Sequence, residues 1–198
     1  MIKAFIFDIG NVLLRVDLSV ALKRLAQKCG TPIEVAMVEG KSVALAYEGG
    51  GMDRAEFVRR ITGILQYAGS GQEFIEAWED IFTENFPMTK LVSELHGRFP
   101  LYLLSNTNDI HVEYIFRSYP FFGLFTDTVY SYLAECMKPA REIYEIAAEK
   151  FGVKPEETLF IDDLAANVQT ARELGFVAVH YDYNRHEDFL ETFQNIVR

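Results

Sequence analysis

Cysteine is nearly absent from this chain: Cys29 and Cys136 are the only two among 198 residues. Two thiols build neither a disulfide framework nor a cysteine zinc site, so both are expected as buried free thiols in a reducing compartment. Histidine is scarce as well. His96, His111, His180 and His186 show no metal-ligand spacing and are read as surface or structural residues. Long apolar runs are missing: Lys3 and Asp8 punctuate the first one, which is too short for a signal sequence or a membrane span. The expected location is the cytoplasm. Positive charge is in deficit, with 19 Lys and Arg against 29 Asp and Glu and a formal net charge of -10. Such a field repels nucleic acid and anionic membrane, so neither is expected as a partner. An anionic substrate would need local positive groups.

What is present is ordinary for a globular protein, 49% hydrophobic and 24% charged. The length allows one sizeable core with room for a smaller insert. Residues 2–7 form a short continuous apolar run, the pattern of a central parallel strand. From about Leu18 to Phe86 the texture turns helical, in "SVALKRLAQKCG", "IEVAMVEGKSVALAYE", "MDRAEFVRRITGIL" and "EFIEAWEDIFTENF". Breaks at Gly30-Thr31-Pro32, Gly49-Gly50-Gly51 and Gly69-Ser70-Gly71 separate about four helices, with no strand expected among them. Beyond Pro87 the pattern alternates. "FPLYLLSN", "TDTVYSY", "ETLFID" and "VAVHY" read as strands, the second near a sheet edge. "IHVEYIFRSY", "AREIYEIAAEKFGV" and "NVQTARELGF" read as the helices between them, and "NRHEDFLETFQNIV" as a final helix packed on the core.

This alternation predicts an α/β fold: a parallel Rossmann-like sheet with helices on both faces and right-handed crossovers. Residues 1–16 and 87–198 would form that core, and residues 17–86 an inserted helical bundle capping it. Ligands in such sheets bind beyond the C-terminal strand ends, so the residues there carry the functional reading.

The first strand ends in Asp8. A buried carboxylate without a partner is avoided or neutralised, so either the fold compensates Asp8 or Asp8 serves chemistry. Ser105-Asn106 follows the second core strand, Asp162-Asp163 the strand "ETLFID", and Lys138-Pro139 opens a helix. Three neighbouring carboxylates cannot all ionise in a dry site unless a cation binds, and oxygen-only ligands point to a hard ion such as Mg²⁺. Lys138 and the Ser105 hydroxyl could hold phosphate oxygens, with Asn106 as a candidate substrate contact beside them, while Asp8 attacks phosphorus. Plainer readings stand beside these. Asp8 could cap a turn, Ser105 or Asn106 a helix, and Lys138 could simply be solvated. Asn167 is either a second support of the acidic pair or a packed polar residue.

"FIFDIGNVL", "LLSN", "KPAREIY" and "LFIDDLAANVQTARELGF" together resemble the four motifs of the haloacid dehalogenase superfamily, in order and at suitable separations. The resemblance covers residues 1–14 and roughly 88–185, and the helical insert is similar to the small cap of that superfamily. It implies Asp8 as nucleophile, Ser105 and Lys138 as phosphate binders, and Asp8, Asp162, Asp163 and the Gly10 carbonyl as ligands of Mg²⁺. The partner would be a small phosphorylated metabolite, and the protein a monomer or homodimer.

One position departs from the pattern. Phosphatases of the superfamily carry a second Asp two residues after the nucleophile, as proton donor to the leaving group; here it is Gly10. Gly10 is expected to keep the turn tight and admit phosphate and metal close to the backbone. Three readings of the missing acid are open. Asp17 or Glu48 substitutes for it; or the leaving group departs with little protonation, as in a sugar 1-phosphate; or the protein binds phosphorylated ligands without turnover. The "D-x-GNV" motif resembles a subgroup that includes sugar 1-phosphate phosphatases, which favours the first two together. A metal-independent 2-haloacid dehalogenase would need no acid either, but would leave the Asp162-Asp163 pair without a cation. Arg15 and Asp17 sit where the core passes into the cap, as substrate contacts or a hinge pair. Glu48, before the triple glycine, is either a helix connection or part of a substrate-facing cap loop. Trp78 is read as core packing.

Overall fold

Alternation along β1 (Ala4–Phe7) divides the core in two: Phe5 and Phe7 enter one hydrophobic cluster, Ala4 and Ile6 the other. The computed structural model describes residues 1–197. From β1 the chain turns into β2 (Leu14–Val16) and then four helices, α1 (Leu18–Ala26), α2 (Ile33–Glu48), α3 (Arg54–Leu65) and α4 (Gly71–Glu79). After β3 (Phe82–Glu84) and α5 (Phe86–Leu95) come β4 (Leu101–Ser105), α6 (Asp109–Ser118), β5 (Asp127–Tyr130) and a short α7 (Ser131–Ala134). The chain closes with α8 (Arg141–Phe151), β6 (Thr158–Asp162), α9 (Ala165–Glu173), β7 (Val177–His180) and α10 (His186–Val197).

The main sheet is parallel throughout, in the order β5-β4-β1-β6-β7. One face packs on α5 and α10 through Met88, Val92, Phe189 and Phe193; the other packs on α8 and α9 through Ile143, Tyr144, Val168 and Ala171. Helices on both faces of a parallel sheet are the architecture expected from the alternation, and β5 is an edge strand as its short alternating run suggested. The chain runs from β1 to one side, through β4 and β5, and then returns across β1 to β6. That reversal places a crevice at the C-terminal end of β1.

α1 to α4 enclose a separate apolar cluster built on Leu25, Tyr47, Phe57, Ile61 and Phe74, which Ile110 of α6 joins. Side chains cap the starts of α1 and α4. Asp17 accepts from the Ser19 N–H at α1, and Ser70 with Glu73 forms a reciprocal capping box at α4. Arg54 of α3 reaches Asp109 and Glu113 of α6, each at 2.7 Å, and so ties this bundle to the sheet domain's edge.

Two elements depart from the expected pattern. "EFIEAWEDIFTENF" is not one helix: α4 stops at Glu79, and β3 pairs antiparallel with β2, Val16 opposite Phe82 and Leu14 opposite Glu84. Three-residue strands are too short to display a period-two signal, and this pair exists because its two halves meet across 65 intervening residues' worth of helices. α5 was hidden by Pro87, which reads as a break but occupies the first turn of a helix, where its missing N–H is harmless. Cys29 and Cys136 are free, and both are half-buried rather than buried. Cys29 lies past the end of α1, where its Sγ contacts the Leu25 carbonyl. No helix among the described residues is long and apolar enough to cross a membrane.

Candidate active site

Asp8 follows β1, Ser105 ends β4 and Asp162 ends β6; because β4 and β6 flank β1, the three side chains share the crevice. Lys138, in the loop ahead of α8, enters beneath them. Its Nζ lies 2.6 Å from Asp162 Oδ2 and 3.0 Å from Asp8 Oδ1, and donates at 2.8 Å to the Leu104 carbonyl. Two ammonium protons are donated, to Asp162 and to the Leu104 carbonyl, and the third is free to face Asp8 or a phosphate oxygen. Asp8 can therefore end a buried strand, since Lys138 and the Ile9 N–H, 2.7 Å away, both face its Oδ1. Burial nevertheless pushes the Asp8 carboxyl up to about 6; Lys138 and the Ser105 hydroxyl oppose the rise, and Asp162 adds to it. Burial works against the Lys138 ammonium, but Asp8 and Asp162 outweigh it and hold that group above its ordinary value.

Asp162 is gripped from the far side, its Oδ1 accepting from the Leu164 N–H and from Asn167 Nδ2, both at 2.9 Å. Asn167 is thus a support of the acidic pair. Asp163 is half-buried, and its Oδ2 accepts from Asn11 Nδ2 at 3.0 Å. Burial raises this carboxyl too, against the Asn11 bond. One oxygen from each of Asp8, Asp162 and Asp163 lies within 4.8 Å of the others. The donors are all oxygen, and three carboxylates face one ammonium, so a hard divalent cation of the Mg²⁺ type fits the set.

Gly10 does not have the role expected of it in the turn. Its φ is not left-handed, and an added Cβ would meet only Val16 Cγ2, at an ordinary 3.6 Å. The left-handed residue is Asn11, with φ 51°. Asparagine tolerates that region, and here its amide also accepts from the Val16 N–H at 3.2 Å while donating to Asp163. The sequence reading overlooked the Asn11 side chain, although a Gly-Asn pair directly after a buried strand was the available signal.

A cavity of about 260 Å³ lies against Gly10, Ser105, Asn106 and Thr107, closed on the helical side by Glu48 and Trp78. Glu48 is the last residue of α2, and burial raises its carboxyl with no charged or hydrogen-bonding partner involved. Asn106 lines the cavity but spends its amide on the Lys138 main chain, donating to the carbonyl and accepting from the N–H, both at 2.8 Å. Asp17 lies elsewhere: it is exposed, and the α1 cap bond from Ser19 holds its carboxyl below the usual range. Arg15 is exposed on β2, its guanidinium 5.6 Å from the Tyr183 ring centre, and lines a different cavity beside Asn11 and Asp163. His111 is buried in the wall, its ring bridging Asn108 and the Trp78 carbonyl at 3.1 and 3.2 Å. The structural expectation for this histidine holds; a surface position does not, because Trp78 stacks over it.

Comparison with known proteins places this geometry. A D-ribitol-5-phosphate phosphatase of Bacteroides thetaiotaomicron is 28% identical, covering 89% of this chain and 90% of that protein. A sesquiterpene phosphatase of Aspergillus oryzae is 27% identical, covering 90% of this chain and 89% of its own. A HAD family enzyme from Bacteroides thetaiotaomicron, crystallised with magnesium and inorganic phosphate, is 28% identical with a TM-score of 0.83, covering 93% of this chain and 96% of that one. The sequence profile of haloacid dehalogenase-like hydrolases matches residues 2–175, and the chain belongs to that family.

Proposed function

We propose that the protein is a Mg²⁺-dependent phosphomonoester hydrolase of the cytoplasm, acting on a small phosphorylated metabolite through an aspartyl-phosphate on Asp8. The observation that carries this reading is the Lys138 ammonium held between Asp8 and Asp162, with Asp163 beside them. Asp8, Asp162 and Asp163, with the Gly10 carbonyl, would hold the metal, which supplies neutralisation of phosphate charge when bound. The two relatives named as phosphatases share the phosphate ester and differ in the alcohol it carries.

In this reading the Asp8 carboxylate forms a bond to phosphorus as the ester P–O bond breaks. Lys138 and Ser105 bind the phosphate oxygens. Glu48, whose carboxyl burial raises above its ordinary range, gives its proton to the departing alkoxide. The resulting carboxylate then takes a proton from water as that water attacks phosphorus, which releases phosphate and restores Asp8. A leaving group that needs little protonation, such as the anomeric oxygen of a sugar 1-phosphate, would ease the first step. Residues 17–86 act as the cap that brings Glu48 over a core of residues 1–16 and 87–198, a division supported by the separate apolar cluster of α1 to α4.

The test is phosphate release from a panel of phosphorylated metabolites, with Mg²⁺ and with EDTA, for wild type and Asp8→Asn. Metal-dependent release that Asp8→Asn abolishes is the expected result. No release from any ester would overturn the reading and return the chain to dehalogenase assays and ligand-binding screens.

A further inference from the structure

The helical bundle is not filled. A second cavity, of about 290 Å³, opens among α1 to α4 and is walled by Leu22, Ala36, Met37, Ile61 and Phe74 among others. It shares Leu18, Ala44, Glu48 and Trp78 with the cavity against Gly10 and Ser105. The two chambers thus meet at one partition, one end at the carboxylates and the other inside the bundle. Voids lined by Leu, Ile and Phe are costly to a core, and a bundle this small has little stability to spare. The rim is apolar as well: Leu18, Met37 and Leu45 are 40%, 48% and 47% exposed, an unusual density of bare large side chains.

The lining decides what could enter. Apart from Glu48 at the partition, the inner chamber's one charged side chain is Lys41, which is exposed. A sugar there would bury several hydroxyls without partners, each a penalty rather than a contact. An aliphatic chain would lose nothing. The partition also holds the buried indole N–H of Trp78, which has no acceptor among the described residues. Both chambers lie near the volume of small-molecule sites, about 300–1,000 Å³.

We propose that the substrate is the phosphomonoester of an elongated apolar alcohol, its phosphate at Lys138 and Ser105 and its hydrocarbon part running past Trp78 into the bundle. This rests on the phosphatase reading and narrows it, away from sugar phosphates. Glu48 then stands where phosphate and hydrocarbon join, beside the ester oxygen.

The experiment has a turnover arm and a binding arm. In the first, phosphate release from n-alkyl phosphates, ethyl to dodecyl, is measured with Mg²⁺ beside hexose phosphates and p-nitrophenyl phosphate. In the second, n-alkylphosphonates, whose C–P bond is not hydrolysed, are titrated while following the emission of Trp78, the chain's one tryptophan. The expected result is a rise in both kcat/KM and affinity of about fourfold per methylene until the chamber is full. Ala44→Phe, placed at the partition, should flatten that dependence, with circular dichroism checking that the bundle still folds. Turnover of hexose phosphates or p-nitrophenyl phosphate with no dependence on chain length would overturn the proposal and leave the phosphatase standing. Chain-length-dependent binding without turnover of any ester would sustain the apolar site and overturn the phosphatase. Neither binding nor turnover would overturn both.

Discussion

Asn106 grips the main chain of Lys138 at two points, accepting from its N–H and donating to its carbonyl at 2.8 Å each. The pair joins the end of β4 to the loop that carries the one buried ammonium of the site. Asn106 is therefore read here as the residue that positions Lys138, where the sequence suggested a substrate contact. Asn106→Ala removes both bonds and should cost about 1–3 kcal/mol of stability. It should also lower kcat by about tenfold, since a small displacement of Lys138 weakens transition-state contacts. Asn106→Asp, which keeps the acceptor alone, should fall between. Thermal melts and initial rates on the three proteins check this; an unchanged kcat in Asn106→Ala would remove the positioning role.

Lys138 itself is tested by stability as much as by rate. Lys138→Met leaves the Asp8 and Asp162 carboxylates facing each other without their cation, a loss of about 3–5 kcal/mol for a broken buried pair. The same variant should be inactive. Combining it with Asp8→Asn removes one of the stranded charges, so the double variant should be more stable than Lys138→Met alone, a coupling that a double-mutant cycle in EDTA reads directly. Strict additivity would mean that the ammonium does not hold the two carboxylates together energetically.

These residues were legible because the sheet's strands are buried on both faces and stop abruptly at polar residues. Continuous apolar runs ending in Asp8, Ser105 and Asp162 announce strand ends, and a parallel sheet brings strand ends together. What was not legible depends on geometry that no local pattern encodes. The β2–β3 pair needs two remote triplets to meet, and Pro87 hid α5 by looking like a break. Gly10 suggested a turn that demands glycine, yet the left-handed backbone belongs to Asn11. The chamber inside the bundle is set by how far apart α1 to α4 pack. Helical periodicity shows which residues face inward and says nothing of the space left between them.

His111 makes stability depend on acid. Burial lowers its pKa from 6.5 to about 4, with the Trp78 carbonyl and Asp109 opposing the shift. The folded state thus resists a proton that the unfolded chain accepts, so the stability His111 contributes is present above pH 6.5 and lost as pH falls through 4. The full amount is about 3 kcal/mol at most. Asp8 works in the opposite direction: its carboxyl is raised to about 6, so its contribution is lost as pH rises through that value. The wild-type curve therefore mixes two opposed slopes. The difference between wild type and His111→Gln, measured by urea unfolding in EDTA from pH 4 to 7, isolates the histidine. It should grow with pH in favour of wild type; a flat difference would mean His111 does not stay neutral in the fold.

The missing acid at Gly10 yields the sharpest prediction, because two residues were candidates to replace it and the structure separates them. Asp17 is exposed and committed to capping α1, so Asp17→Asn should leave turnover intact while Asp17→Ala costs about 1 kcal/mol of stability. Glu48 lines the cavity that holds Gly10 and Ser105, has no partner for its carboxylate among the described residues, and is raised by burial toward the protonated form a donor needs. Glu48→Gln should reduce kcat by about 10²–10⁴ on alkyl phosphates, the range of general acid–base catalysis, and much less on p-nitrophenyl phosphate, whose leaving group scarcely needs a proton. A merely structural glutamate would depress both equally. The space beside Gly10 supplies the complement. A Cβ there meets only Val16, at van der Waals distance, so the backbone admits Gly10→Asp. In the Glu48→Gln background it should restore a substantial part of the lost rate on alkyl phosphates, because the proton then comes from the residue two positions after Asp8. If Gly10→Asp rescues nothing while Glu48→Gln is inactive, Glu48 binds substrate rather than moving a proton.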